Sequence, residues 1–100
     1  MGTVADIAAY DFFAKLKALP FVEAIYLYGS RARGDHDDWS DIDLAVVCPK
    51  ATRAQWGEIQ DAVETEELLI PVTVARYDTI TDAGFKAQID RDKKELYRHG

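Results

Sequence analysis

Two aspartates are the residues whose spacing points most directly to chemistry. Asp41 and Asp43 stand one residue apart at the start of an apolar run. If that run is a strand, alternate side chains share a face with Cβ atoms about 6.5 to 7 Å apart, so both carboxylates can converge on one Mg²⁺ or a metal pair. Two ionised carboxylates about 5 Å apart repel by about 3 kcal/mol at an effective dielectric constant of about 20. A metal could compensate that charge, and so could Arg31, Arg33 or solvent.

A Gly29-Ser30 pair precedes these aspartates and could bind a phosphate. Glycine lets a ligand approach the backbone closely, and exposed amides and a serine hydroxyl can donate to an anion. Taken alone, the pair is better explained as a simple turn. The ten residues between Ser30 and Asp41 can bring both motifs to one rim of a sheet. A phosphate-binding turn facing paired carboxylates is what Mg²⁺-assisted transfer of a nucleotidyl group requires.

The remaining pattern supplies elements that can position these groups. We predict the order α-β-short α-β-α-β-α, which calls for a small sheet packed against helices. The first half of the chain is predicted to contain a helix capped by Thr3 and Asp6 and ending before Pro20, a strand at 22–28, and a helical turn that ends at Gly34 before an acidic loop. A strand at 41–47, a helix with a Thr52/Gln55 capping box, and a strand at 68–75 follow, and Pro71 marks an edge or a bulge in the last of these. The last predicted element is a helix capped by Thr81, in which Phe85, Ile89 and Leu96 share a face.

Composition limits the classes of protein to which the chain can belong. Its 100 residues, 48% of them hydrophobic, predict one domain over residues 1–100. A net charge of -6 and the lack of a basic patch argue against direct nucleic-acid binding. The single cysteine, Cys48, excludes an internal disulfide. With neither a signal-peptide pattern nor an apolar run long enough for a bilayer, we expect a cytoplasmic protein without a membrane partner.

Two segments resemble a known signature. The segment Gly29-Ser30-Arg31-Ala32-Arg33-Gly34-Asp35, followed by Ser40-Asp41-Ile42-Asp43-Leu44, is similar to that of the DNA polymerase β-type nucleotidyltransferase superfamily, specifically its minimal (MNT) members. The similarity extends from the first strand to Tyr97. It implies an α/β (α+β) nucleotidyltransferase fold, with a small mixed β-sheet of three to four strands packed against helices.

The resemblance also implies roles for individual residues. Gly29 and Ser30 would contact the triphosphate of ATP, with Arg31 as a weaker phosphate contact. Asp41 and Asp43 would be the catalytic residues and would coordinate Mg²⁺.

One position departs from the superfamily pattern. Active members usually have a third carboxylate on the next strand, where it completes the metal site and helps to activate the attacking hydroxyl. By the same resemblance that place falls on Thr73, whose side chain cannot act as a carboxylate base. Asp78 is the nearest acidic residue downstream, and a turn or cap role also suits it.

For the whole protein the resemblance implies an MNT antitoxin that binds a HEPN ribonuclease toxin and can adenylylate (AMPylate) it from ATP. Two other classes stay open. One is a degenerate module that binds nucleotide or toxin without turnover, as Thr73 suggests. The other is a transferase acting on a small molecule or RNA, against which the acidic charge and the lack of residues for an acceptor-binding domain both count.

Overall fold

Residues 10–34, 41–64 and 71–99 are described by a computed structural model of the chain. The elements are α1 (Asp11–Ala18), β1 (Ala24–Tyr28), α2 (Ser30–Arg33), β2 (Ile42–Val47), α3 (Arg53–Glu64), β3 (Val72–Arg76), a 3₁₀ turn (Tyr77–Thr79), α4 (Ala83–Asp92) and β4 (Lys94–Arg98). Three sequence predictions lie outside the described residues: the cap at Thr3 and Asp6, the acidic loop after Gly34, and the start of the third strand.

The strands form one mixed sheet in the order β3-β2-β1-β4. Strand β1 is antiparallel to both β2 and β4, whereas β2 and β3 run parallel. A parallel pair needs a crossover connection, and α3 lies between β2 and β3 in the chain. The predicted fold class, a small mixed sheet packed against helices, is confirmed.

Helices α1 and α3 contact each other and pack on one face of the sheet. The two helices and the sheet bury a hydrophobic core cluster between them. Its helix residues follow the helical spacing of the sequence, and Phe12 and Leu16 of α1 and Ile59 of α3 are fully buried. On the sheet side, alternate residues of the inner strands complete the cluster: Ile25, Leu27, Ile42, Leu44 and Val46. Burying each large apolar side chain contributes about 1.5 to 3 kcal/mol.

Helix α4 covers the opposite face. Tyr28 of β1 points to that face and its ring contacts Phe85 of α4, with centroids 5.9 Å apart. Ile89, one turn further along α4, is fully buried. Both faces of β1 are therefore covered, which explains the apolar residues at both parities of this strand.

The prediction for the last helix is wrong in its extent. The sequence pattern placed Leu96 on the last helix with Phe85 and Ile89, but α4 ends at Asp92 and Leu96 lies in β4. Strand β4 pairs with β1, with a register shift between Ile25 and Tyr26. A fourth strand is thus present that the predicted element order lacked.

The helix caps show one confirmed and one wrong prediction. Thr52 and Gln55 form the reciprocal capping box, with N···O distances of 2.8 and 3.1 Å. The cap of α4 is Asp82 and not Thr81, because the Asp82 carboxylate accepts the Phe85 N–H at 3.0 Å. None of the helices in the described ranges is long and apolar enough to cross a membrane.

Candidate functional site

The Gly29-Ser30 turn joins β1 to the short helix α2, as the sequence predicts. Gly29 has φ +76° and ψ -158°, a backbone conformation that residues other than glycine rarely adopt. Its carbonyl accepts the N–H groups of Ala32 and Arg33, both at 3.1 Å. Gly34, with φ +88°, ends the helix in the left-handed region.

Asp43 lies directly against this turn. A Cβ added to Gly29 would overlap Asp43 Oδ2, so the carboxylate occupies the space that a side chain would need. The other oxygen, Oδ1, accepts a hydrogen bond from Thr73 Oγ1 at 2.7 Å. Asp43 pairs in register with Tyr28 on β1 and with Thr73 on β3, so the three side chains share one face of the sheet.

The turn and both aspartates line a single cleft of about 430 Å³. Its lining residues are Tyr28, Gly29, Ser30, Arg33, Asp41, Asp43, Phe85 and Gln88. Asp41 is exposed and stands just before β2, while Asp43 is half-buried within it. The geometry required by the sequence argument, with two carboxylates and a Gly-Ser turn on one rim, is therefore present.

The two arginines of α2 occupy different environments. Arg31 is only 6% exposed and is not part of the cleft lining. Arg33 does line the cleft, and its guanidinium forms an ion pair with Asp92 at the end of α4, at 3.2 Å. The structure therefore brings Arg33 to the site, and a phosphate contact by Arg31 stays a prediction from resemblance.

Thr73 stands beside Asp43, where the resemblance places a third carboxylate. Burial and the negative charge of Asp43 raise the pKa of the neighbouring Tyr28, and a hydrogen bond with Thr73 partly offsets that rise. Tyr28 therefore stays protonated at neutral pH and cannot replace the carboxylate as a base.

Asp78 lies beyond the other end of β3 and serves the turn there. Its carboxylate accepts the Cys48 N–H at 2.8 Å and lies 3.8 Å from the Arg76 guanidinium. A structural role explains this residue, in agreement with the turn or cap interpretation of the sequence.

The donor atoms at the cleft suit a hard cation. Asp41 and Asp43 line the cleft with carboxylate oxygens, and the Thr73 hydroxyl lies beside Asp43 outside the lining. Oxygen ligands are those that Mg²⁺ prefers. Within the described ranges no group of three His, Cys, Asp or Glu side chains could enclose a metal. These residues fit a Mg²⁺ ion that completes its coordination with water and substrate phosphate.

Sequence reasoning did not assign four residues of the cleft wall, namely Tyr28, Arg33, Phe85 and Gln88. Tyr28 could have been inferred, because it directly precedes the Gly-Ser turn. Phe85 and Gln88 are three residues apart on α4 and so lie on one side of it, but nothing in the local sequence indicates where that helix packs.

The family profile described as "Polymerase beta, Nucleotidyltransferase" matches residues 13–99. The chain belongs to this family. The match spans the Gly-Ser turn, both aspartates and all four strands, so the resemblance to the DNA polymerase β-type nucleotidyltransferases is confirmed at the level of family and fold. Comparison with curated proteins gives no match.

Solved structures with the same fold include toxin–antitoxin complexes. One chain of a toxin–antitoxin crystallised with AMP-PNP is 24% identical, with a TM-score of 0.65 over 88% of this chain and 72% of that one. One chain of a tyrosine-to-alanine variant of the MntA-HpeT toxin–antitoxin is 25% identical, with a TM-score of 0.62 over 87% of this chain and 70% of that one. One chain of a complex of a tri-AMPylated Shewanella oneidensis HEPN toxin with MNT antitoxin is 23% identical, with a TM-score of 0.58 over 87% of this chain and 67% of that one.

Proposed function

We propose that this family member is a Mg²⁺-dependent nucleotidyltransferase of the MNT antitoxin kind, which binds a HEPN toxin and transfers an adenylyl group to it from ATP. The observation that carries the proposal is the shared cleft, in which Asp41 and Asp43 face the Gly29-Ser30 turn. Similar folds occur in a complex with AMP-PNP and in a complex with an AMPylated HEPN toxin, and both support the choice of nucleotide and acceptor.

Four residues of the cleft have defined tasks in this reaction. Gly29 and Ser30 bind the triphosphate, and Asp41 and Asp43 would hold Mg²⁺. When bound, Mg²⁺ would neutralise phosphate charge and so favour attack at the α-phosphorus. The acceptor hydroxyl oxygen bonds to that phosphorus, the bond to pyrophosphate breaks, and pyrophosphate leaves. Because Thr73 cannot accept the hydroxyl proton, a cleft aspartate or water receives it.

A direct test uses the protein together with the product of its neighbouring gene. Both are incubated with Mg²⁺ and ATP labelled at the α-phosphate, and a parallel sample contains EDTA. Mg²⁺-dependent label on the neighbouring protein is the expected result. Label on RNA or small molecules alone would contradict the protein-acceptor assignment.

Binding without turnover is the second candidate function. Thr73 favours it, because the hydroxyl donates to Asp43 where active superfamily members are expected to carry a third carboxylate. Tight association of the two proteins with no transferred label would support this alternative.

Replacing Asp41 and Asp43 together by Asn should abolish Mg²⁺-dependent ATP binding, because both metal-binding charges are removed. Isothermal titration calorimetry measures the affinity, and circular dichroism checks the fold. The matched control removes two charges from the exposed end of α3 by Asp61→Asn and Glu64→Gln, and should bind as the unmodified protein does. An unchanged affinity in the cleft variant would exclude the assigned role of the aspartates.

A further inference from the structure

Phe85 has an unusual position for a large apolar side chain. It is 37% exposed, and it is the exposed large hydrophobic residue found among the described segments. It lines the same cleft as the Gly-Ser turn and the aspartates. An aromatic ring in the lining of a cleft can pack against a ligand that has a flat apolar surface.

Among the described residues, the neighbours of Phe85 leave it partly exposed and fix its place. The Phe85 and Tyr28 rings meet edge to face, at an interplanar angle of 75°, so Tyr28 covers at most one face of Phe85. The Phe85 N–H is bonded to Asp82 at the helix cap, and the fully buried Ile89 anchors the next turn of α4. The ring is therefore held at the cleft by a helix that is capped at its start and packed against the sheet at its next turn.

Gln88 adds a polar group beside the ring. It is exposed, follows Phe85 by three residues on α4 and lines the same cleft. Its amide can both donate and accept hydrogen bonds. The α4 wall thus combines an apolar ring with an adaptable polar group, whereas the opposite wall carries the phosphate turn and the carboxylates.

We propose that Phe85 and Gln88 form the subsite for the nucleobase, which stacks on the Phe85 ring while the Gln88 amide meets its polar edge. This inference rests on the proposed nucleotide-binding function. A nucleoside triphosphate has the matching distribution of chemistry, with an anionic end for one wall and a flat aromatic end for the other. Purines offer more ring area than pyrimidines, so the subsite prefers ATP or GTP to UTP or CTP.

Calorimetry with three probes separates the base from the phosphates. In Mg²⁺ the unmodified protein should bind ATP more tightly than UTP, and UTP more tightly than inorganic tripolyphosphate. Phe85→Leu keeps an apolar side chain but removes the stacking face, and should weaken ATP binding about tenfold while tripolyphosphate binding stays the same. Phe85→Trp should keep the ATP affinity, and Gln88→Leu should lower it by a smaller factor.

Phe21→Leu is the matched control, because Phe21 lies in a separate cleft together with Pro20, Lys50 and His99. It should leave all three affinities unchanged. Equal affinities of the unmodified protein for ATP and tripolyphosphate would overturn the base subsite alone. So would an equal loss of both in Phe85→Leu, or a failure of Phe85→Trp to retain ATP. Absence of any Mg²⁺-dependent binding of ATP and tripolyphosphate would overturn the proposed function as well.

Discussion

Asp43 is positioned by contacts at both of its carboxylate oxygens. Thr73 donates to Oδ1, and Oδ2 lies against the backbone of Gly29. The glycine is therefore needed for two reasons, its positive φ and the space that Asp43 occupies. Gly34 shares only the first reason, since no atom of the residues that the structure describes lies within 4 Å of a Cβ added there.

This difference gives a paired test. Gly34→Ala should cost about 1 kcal/mol of stability through backbone strain and leave Mg²⁺-dependent ATP binding intact. Gly29→Ala should cost about 1 to 3 kcal/mol for its backbone and lose ATP binding, because Asp43 is displaced. Urea unfolding and calorimetry measure the two effects. Normal ATP binding by Gly29→Ala would show that the position of Asp43 against the turn is unimportant.

Thr73→Asp should raise transfer activity by about tenfold or more if an absent third carboxylate limits the reaction. The new carboxylate replaces a hydrogen-bond donor to Asp43, so without Mg²⁺ the variant should melt at a lower temperature because of charge repulsion. Transfer of labelled AMP and melting with and without Mg²⁺ check both effects. Thr73→Asn serves as the uncharged control. A folded Thr73→Asp protein with no gain would mean that another group already fills the role.

Among the elements, α4 links the fold to the cleft. It begins at Asp82, whose carboxylate accepts the N–H of Phe85, and it ends at Asp92, which pairs with Arg33 of α2. The cap and the Phe85 ring of the cleft wall therefore belong to the same helical turn.

Asp82→Ala should lower the free energy of unfolding by about 1 kcal/mol, because a helix N–H loses its acceptor. Thr81→Ala removes the side chain of the adjacent residue, which does not cap α4, and should change stability by less than about 0.5 kcal/mol. Chemical denaturation of both variants distinguishes the two caps. A larger loss for Thr81→Ala would assign the cap to Thr81 after all.

The capping of α3 could be predicted because it is set by local chemistry. The Thr52/Gln55 capping box depends on residues three apart, and its geometry is as predicted. Strand β4 depends on pairing with β1, which is distant in the chain. Its apolar Leu96 also continued the spacing of Phe85 and Ile89, so the pattern favoured one long helix.

The same distinction holds within the cleft. The Gly-Ser turn and both aspartates could be predicted because each motif is short and chemically specific. The Phe85 and Gln88 wall could not, because its place depends on how α4 packs across the sheet.

At the scale of the whole molecule, Cys48 reports on the integrity of the fold. It is fully buried at the end of β2, and burial together with the charge of Asp78 raises the pKa of its thiol to about 11. Below that pH the thiol stays protonated, and the thiolate is the form that reacts.

Native protein at pH 8 should therefore resist alkylation by iodoacetamide, while protein in concentrated urea should react fully. Mass spectrometry follows the label, and Cys48→Ser is the unlabelled control. Equal rates in both conditions would contradict the buried position of the thiol.

The sheet order has a consequence for selecting an acceptor. Strands β1 and β2 are the two inner strands, each hydrogen-bonded on both sides, and their neighbouring ends hold the Gly-Ser turn and Asp43. That side of the cleft cannot yield without breaking strand pairs, whereas α4 contacts it through side chains, as in the Tyr28–Phe85 ring pair and the Arg33–Asp92 ion pair. Under the proposed function, the side chains of α4 therefore set the size of acceptor that the cleft admits.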